Sequence, residues 1–136
     1  MRVERWAALY ARIALSAAFL SGVAARFGLW GDHSSWKNFA DFIRYTAEVN
    51  SFMPAFTIPF LAWAATAAEL VLGIALLAGV RLRWAALGSA LLLALFATAM
   101  AISFGIKSPL DYSVYAASSA ALLLALREPD GPAAAA

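Results

Sequence analysis

The sequence contains no cysteine and a single histidine, His33. Without cysteine the chain cannot form a disulfide, use a thiol nucleophile or hold an iron–sulfur cluster. One histidine cannot supply the axial ligands of a bis-histidine haem or the ligands of a multi-histidine metal site. We therefore expect no cofactor, no metal site and no catalytic residue in this chain.

Charged residues are also scarce. They make up 13% of the 136 residues, whereas 64% are hydrophobic and the mean hydropathy is +0.78. A soluble protein of this size has too little interior to bury so much apolar surface. The ten lysines and arginines are scattered, mostly at the ends of apolar stretches, and form no basic run. The composition indicates an integral membrane protein whose surroundings are the lipid bilayer, with no nucleic acid as partner.

Four apolar stretches approach the length of about 20 residues that a helix needs to cross a bilayer. The first follows a basic start and resembles a signal peptide, but it is longer than the usual apolar signal region and is interrupted by Arg12, so we expect an uncleaved span. We predict an all-α fold, a four-transmembrane-helix bundle. Its spans lie at about residues 6–25, 57–79, 84–104 and 110–126 within a domain of residues 1–128, with a disordered tail at 129–136. Three glycines are expected to allow close helix packing: Gly22, Gly73 and Gly88.

The one long polar connection separates the first two spans. Between about residues 35 and 48, apolar side chains recur at three- and four-residue spacing and charged side chains occupy the other face. This pattern predicts a short helix at the membrane interface, acting as a simple float or as a lid. Asp32, Ser34 or Ser35 could cap its start.

Basic residues beside the spans favour one orientation in the membrane. The tight connection that carries Arg81 and Arg83 is the main support for placing both termini in the cytoplasm. We predict a multi-pass protein of the bacterial cytoplasmic (inner) membrane, N-in and C-in. The amphipathic segment then lies on the outer face.

Two ionisable side chains lie within predicted spans, where a charge costs about 2.5–3.5 kcal/mol at the helix centre. Arg12 interrupts the first span, and Glu69 lies near the middle of the second. Glu69 could pair with an arginine and hold two helices together. Alternatively, it could be protonated and serve as a ligand site or a proton site.

Arg12 is the first candidate partner for Glu69, although the directions of the two side chains are unfavourable for a contact. Helical side chains lean toward their own N-terminus, so on antiparallel helices these two lean apart, and Arg12 could instead extend to the inner surface. Arg26 leans toward the membrane but starts at its edge, about 15 Å from the depth of Glu69 at about 1.5 Å per residue. We expect a direct contact between Arg12 and Glu69, and Arg26 to be too far away without a bridging group.

Polar residues also gather where the third and fourth spans meet. Lys107, Asp111 and Tyr112 lie there on the same predicted face as the amphipathic segment. They form either an ordinary interfacial belt of charged and aromatic residues or a polar mouth that leads toward Glu69. The candidate ligand or proton site therefore comprises Glu69, Arg12, Arg26, Lys107, Asp111 and Tyr112.

Several of these residues stand in an order found in a known family. The pattern consists of Leu9-Tyr10-Ala11-Arg12, then Phe19-Leu20-Ser21-Gly22 with Arg26, then Ala68-Glu69-Leu70-Val71-Leu72-Gly73 continuing to Gly79 with Arg81. With the amphipathic segment, it resembles the DoxX family of four-span membrane proteins. The resemblance implies that Arg12, Arg26 and Glu69 occupy the family's polar positions. Relatives include a thiosulfate:quinone oxidoreductase subunit and a partner of thiol- and superoxide-handling enzymes, which implies a membrane subunit near a quinone pool.

Three functions compete at this point. The first is an accessory subunit or scaffold of a membrane redox system, which binds a quinone or lipid between its helices and assembles with a membrane oxidoreductase or a second copy. The alternative is a small proton-coupled transporter of a lipophilic solute that uses Glu69. Four-span multidrug exporters also depend on one membrane carboxylate, but theirs lies in the first helix, where this chain has Arg12. The third, an independent enzyme acting on quinones or sulfur compounds, is disfavoured by the lack of cysteine and metal ligands.

Overall fold

The computed structural model describes residues 2–128, and over that range the chain is all-α, as predicted. The predicted tail at 129–136 lies outside the described residues. Short 3-10 turns occur at Gly31–His33 and Ala55–Thr57. The helices are α1 (Arg2–Arg26), α2 (Phe39–Val49), α3 (Ile58–Ala78), α4 (Leu82–Phe104), α5 (Lys107–Asp111) and α6 (Val114–Arg127).

Three of these helices are long and apolar enough to cross a bilayer. They are α1, α3 together with the turn before it, and α4, with 25, 24 and 23 residues respectively. Each coincides with one of the first three predicted spans to within a few residues. The chain is therefore a multi-pass helical membrane protein.

The fourth predicted span, 110–126, is interrupted. The chain forms the short helix α5, adopts a left-handed conformation at Ser113 (φ 56°), and only then begins α6. α6 has 14 residues, and at a rise of about 1.5 Å per residue it is about 21 Å long, less than the roughly 30 Å of the hydrocarbon core. The predicted start at residue 110 is thus wrong, because Lys107–Asp111 forms a separate turn. A complete fourth crossing stays a prediction.

Helix α2 lies over the bundle by its apolar face. It starts at Phe39, later than predicted, and the capping residue is Asn38, whose side chain accepts a 3.0 Å hydrogen bond from the backbone N–H of Asp41. The caps predicted at Asp32, Ser34 or Ser35 are therefore wrong. An Asx side chain at this position can satisfy a free N–H of the first turn, which explains where the helix begins. Its buried residues recur at helical spacing: Phe42, Thr46 and Val49.

Two hydrogen bonds fix the antiparallel register of α1 and α3. The hydroxyl of Ser16 donates to the carbonyl of Gly73 over 2.7 Å, and one turn away Arg12 Nε donates to the carbonyl of Leu76 over 3.0 Å. The helices approach closely at Gly73, where a Cβ atom would lie 3.0 Å from Leu20 Cδ2. α4 and α6 complete the core, which contains Leu15, Phe19, Leu76, Ala86, Ala121 and Leu124.

The three glycines expected at helix contacts do not behave alike. A Cβ atom at Gly88 would lie 3.1 Å from Leu72 Cδ2, so Gly88, like Gly73, sits at a close helix contact, as predicted. Gly22 has no atom within 4 Å of the position of a Cβ. Its predicted packing role is wrong, because no residue described here lies close enough to contact a Cβ at this position.

Candidate functional site

A buried ion pair joins α1 to α3. Arg26, the last residue of α1, contacts Glu69 Oε2 through Nη2, and the two side chains are 6% and 8% exposed. Arg26 Nη1 also donates a 3.0 Å hydrogen bond to Thr66 Oγ1, which in turn donates to the carbonyl of Ala62. The guanidinium carbon lies 4.0 Å from the ring centroid of Phe42 on α2, a cation–π contact. One guanidinium therefore connects α1, α2 and α3.

The predicted pairing of Glu69 with Arg12 is wrong, and the register of the helices explains why. Because Ser16 lies opposite Gly73, and α3 runs antiparallel to α1, residue 20 of α1 lies level with Glu69. Arg26 is then six residues farther along, about 9 Å at 1.5 Å per residue rather than the 15 Å expected. Each side chain leans toward the N-terminus of its own helix, so Arg26 and Glu69 lean toward each other and close this gap.

Arg12 has a different role, at the other end of α3. Its Nε donates to the carbonyl of Leu76, and its Nη2 donates to the carbonyl of Leu77 over 3.3 Å. These carbonyls belong to the last turn of α3 and have no partner within the helix. A cation at a helix C-terminus is also favoured by the helix dipole. Arg12 therefore stabilises the end of α3 and takes no part in the contacts of Glu69.

A cavity of about 450 Å³ lies under α2, between α3 and α4. Arg26 and Glu69 form part of its wall, and Thr46 and Asn50 add two polar side chains from the α2 side. The rest of the wall is apolar or aromatic: Trp36, Phe42, Tyr45, Val49, Leu61, Ala64, Ala65, Ala68, Leu92, Leu95, Phe96, Ala99 and Met100. An apolar enclosure with a few polar groups is typical of small-molecule sites.

The other predicted site residues lie elsewhere. Lys107 Nζ and Asp111 Oδ2 form a 2.6 Å ion pair at the surface, with side chains 85% and 53% exposed, and Tyr112 is 75% exposed. Neither these three residues nor Arg12 lines the cavity. The predicted group thus separates into the Arg26–Glu69 pair, the Arg12 contact with α3, the surface pair of α5 and the exposed Tyr112.

Two residues of the site were not identified from the sequence. Thr66 and Phe42 both contact the Arg26 guanidinium. A signal for Thr66 exists, because the buried face of α3 recurs at three- and four-residue steps. That face comprises Ile58, Ala62, Thr66, Glu69, Gly73 and Leu76. Phe42 lies on the buried face of α2, but nothing in the sequence indicates that it covers an arginine.

Polar groups around the cavity are only partly satisfied. Arg26 Nε is buried and, within residues 2–128, has no hydrogen-bond partner.

Tyr45 lies on α2, outside the membrane-spanning helices, and lines the cavity. Its pKa is raised above its usual value near 10, mainly by burial and further by Tyr112 and Glu48. In the described part of the chain no three His, Asp or Glu side chains are grouped to hold a metal. The arrangement suits an uncharged or amphiphilic guest.

Comparison with protein families places most of the chain in a known membrane protein family. The model of the family described as "Methylamine utilisation protein MauE" matches residues 4–111. The chain belongs to the MauE family. The matched range includes α2 to α5 and all but the first two residues of α1, so it contains the whole wall of the cavity, whereas α6 lies beyond it.

The family assignment refines the expectation drawn from the sequence. It supports a membrane protein family, as the resemblance implied, but it does not support DoxX specifically. No curated protein and no solved structure matches the chain.

Proposed function

We propose that this MauE-family protein is a non-catalytic accessory subunit or scaffold of a membrane redox system, and that it holds a quinone or a lipid in the cavity between α2, α3 and α4. The observation that carries this proposal is the cavity itself. Its volume of about 450 Å³ lies within the roughly 300–1,000 Å³ that small-molecule sites occupy, and its wall is largely apolar. A bilayer offers lipophilic guests of this kind directly.

The polar end of the cavity suits binding better than chemistry. Arg26 is held by Glu69, Thr66 and the Phe42 ring, so its guanidinium has a fixed position. Its Nε remains a buried donor without a partner among the described residues. Buried donors are normally paired, and an oxygen of a guest or a water molecule would complete this one.

The redox setting comes from the family description, which names methylamine utilisation. Oxidation is a usual way to release carbon and nitrogen from an amine, so a membrane redox system is a consistent context for such a subunit. Under this proposal the chain assembles with a membrane oxidoreductase or with a second copy of itself. The resemblance to the DoxX family suggested an association with quinones, and the proposal takes from it only the chemical class of the ligand.

The alternative, a proton-coupled transporter that uses Glu69, is less consistent with the site. Proton coupling requires the carboxylate to gain and lose a proton in each cycle. Protonation of Glu69 would leave the buried Arg26 guanidinium without its counter-charge, which is costly in a low-dielectric environment. Proton-coupled uptake that is abolished by Glu69→Gln would support the transporter, whereas uptake that survives the substitution would eliminate it.

Ligand titration in lipid nanodiscs tests the proposal. Trp36 lines the cavity, so we expect decylubiquinone to quench its fluorescence saturably, and Trp36→Phe to remove this saturable part of the quenching. Quenching of the exposed Trp6, Trp63 and Trp84 should instead rise in proportion to the quinone dissolved in the bilayer. Ala65→Leu adds three carbons to a side chain that lines the cavity, and we expect it to weaken binding at least tenfold, about 1.4 kcal/mol. Ala67→Leu is the matched control, because Ala67 is exposed and does not line the cavity.

The same titration can contradict the proposal. If wild-type protein quenches with neither decylubiquinone nor a lipid competitor, or if Ala65→Leu and Ala67→Leu bind equally well, the cavity is not a ligand site. Purification from native membranes followed by mass spectrometry of the extracted lipids gives an independent readout of an occupied cavity.

A further inference from the structure

The two most exposed residues of the cavity wall lie on the same side of the cavity. Among the lining residues, Ala64 on α3 and Leu95 on α4 are exposed, Leu95 by 58%. All the others are buried or half-buried. Both exposed residues lie within membrane-spanning helices, so their free surface faces hydrocarbon. The cavity therefore opens sideways, between α3 and α4, into the bilayer.

Close contacts between α3 and α4 occur toward their connected ends, and the cavity lies beyond those contacts. Leu72 on α3 lies against Gly88 on α4, and Leu76 and Ala85 belong to the same buried core. Nearer to α2, the cavity lies between Ala64 and Ala68 on one helix and Leu92 and Leu95 on the other.

Helix α2 closes the opposite, aqueous side. Its lining residues Phe42, Thr46 and Val49 are buried and Tyr45 is half-buried, as are Trp36 and Asn50, which flank the helix. Trp36 packs edge-on against Phe42 with ring centroids 5.0 Å apart, and Tyr45 lies 5.4 Å from Trp36. A guest that entered from water would have to displace this aromatic cover.

The charges of the wall limit what the guest can carry. Arg26 and Glu69, the two charged lining residues, pair with each other, so the wall has no net charge to offer an ionic group. A phosphate or ammonium placed here would be an uncompensated charge within the membrane, which is costly. An uncharged head with an oxygen acceptor has no such penalty.

On these grounds we infer that the cavity takes an uncharged, chain-bearing amphiphile from the bilayer, with its compact oxygenated head beside the Arg26–Glu69 pair and its hydrocarbon chain leaving between Ala64 and Leu95. This inference rests on the proposed ligand-binding function and adds the route of entry and the charge of the guest. Quinones and neutral glycerolipids share this chemistry, and phospholipids do not.

Paired probes test the route in nanodiscs. Decylubiquinone carries a chain, and the corresponding dimethoxy-methyl-benzoquinone has the same ring without it. We expect Ala64→Phe, which narrows the opening, to weaken binding of the chain-bearing probe at least tenfold and to change binding of the chainless probe less than threefold. Ala67 lies about one turn farther along α3, is exposed and does not line the cavity. The control variant Ala67→Phe should therefore leave both affinities unchanged. Retained binding of the chainless probe also shows that the variant is folded.

Other results with the Ala64→Phe and Asn50→Phe variants reject the inferred route. Equal loss of both probes in Ala64→Phe, or no loss of either, means that the chain does not pass between Ala64 and Leu95. A selective loss of the chain-bearing probe in Asn50→Phe, on the α2 side, would place the exit there.

A competition experiment identifies the ligand. Dioleoylglycerol should displace the probe if a neutral lipid is the ligand and fail to do so if the site is specific for quinones. Displacement by phosphatidylglycerol would overturn the assignment of an uncharged head. If wild-type protein binds no probe at all, the proposed function fails before the route is in question.

Discussion

Arg26 forms an ion pair with Glu69 although the two residues lie about six positions apart in the register of α1 and α3. The contact forms because the two side chains lean toward each other along antiparallel helices. Phe42 covers the same guanidinium from α2. The pair thus has two effects in one place: it holds three helices together, and it gives the cavity a polar end without a net charge.

Removal of one partner of this pair should be strongly destabilising. We expect Glu69→Leu to lower the free energy of unfolding by about 3–5 kcal/mol, because it leaves the buried Arg26 charge uncompensated. The double variant Arg26→Met with Glu69→Leu should recover much of the loss, since no charge then remains buried. Denaturant unfolding in mixed micelles measures both. Arg44→Ala, which breaks the exposed pair with Asp41, is the control and should cost less than about 1 kcal/mol. A double variant no more stable than Glu69→Leu would contradict this account.

The contact of Arg12 with the end of α3 gives a second prediction. Arg12→Ala removes charge-assisted hydrogen bonds to the carbonyls of Leu76 and Leu77, each worth about 1.5–3 kcal/mol at most. We expect a loss of about 2 kcal/mol in unfolding free energy, reduced because Leu77 is near the surface. Arg12→Lys should retain part of the stability through its charge. Ligand affinity is the discriminating readout: it should not change in either variant, because Arg12 does not line the cavity.

Gly79 is coupled to Arg12 in a way that a double-mutant cycle can resolve. Gly79 has a φ of 78°, and a Cβ atom there would lie 2.8 Å from Arg12 Nη2. Gly79→Ala should therefore be destabilising through both backbone strain and a clash. In the Arg12→Ala background the clash is absent and only the strain remains, so the cost should fall. Equal costs in the two backgrounds would mean that Arg12 moves freely out of the way.

Gly73 and Gly22 provide a matched pair on facing helices. At Gly73 a Cβ atom would meet Leu20 and Phe19 at 3.0–3.3 Å, whereas at Gly22 it would meet nothing within 4 Å. We expect Gly73→Ala to destabilise by about 1–3 kcal/mol through overpacking. Gly22→Ala should be neutral or slightly stabilising, since alanine is the better helix former by up to about 1 kcal/mol. Thermal unfolding of the two variants in one detergent compares them directly. The opposite order would mean that Gly22 packs against a partner outside the described chain.

Hydropathy alone predicted the positions of the three long helices, because a run of about 20 apolar residues has few other stable conformations in a membrane. The same signal failed at α5, where Ser113 adopts a left-handed conformation (φ 56°) that no apolar count can detect. Spacing predicted the amphipathic helix α2 but not its start, which depends on the side chain of Asn38.

The site was less accessible to sequence reasoning, for a reason that concerns register. Glu69 and Arg26 were recognised as exceptional residues, but their pairing depends on how far α1 is shifted along α3. That shift is marked by the hydrogen bond from Ser16 to the carbonyl of Gly73. Because every residue has a backbone carbonyl, the sequence does not indicate which one accepts this bond. The cavity depends on the separation of α3 from α4 near Ala64 and Leu95, which is likewise a property of packing and not of composition.

Tyr45 gives a prediction about pH. Burial, with smaller contributions from Tyr112 and Glu48, raises its pKa above the value near 10 of an exposed tyrosine. The folded state therefore keeps the phenol proton more tightly than the unfolded state does. Its contribution to stability is fully present below pH 10 and is lost as the pH rises through the higher folded pKa. Unfolding measured between about pH 9 and pH 11 should show a decline that Tyr45→Phe removes, and tyrosinate absorbance should show one late-titrating group that the same variant deletes. Tyr10, which is 76% exposed, is the control: Tyr10→Phe should leave the pH dependence of unfolding unchanged, and an equal effect of both substitutions would show that α2 does not bury Tyr45 in the membrane-bound protein.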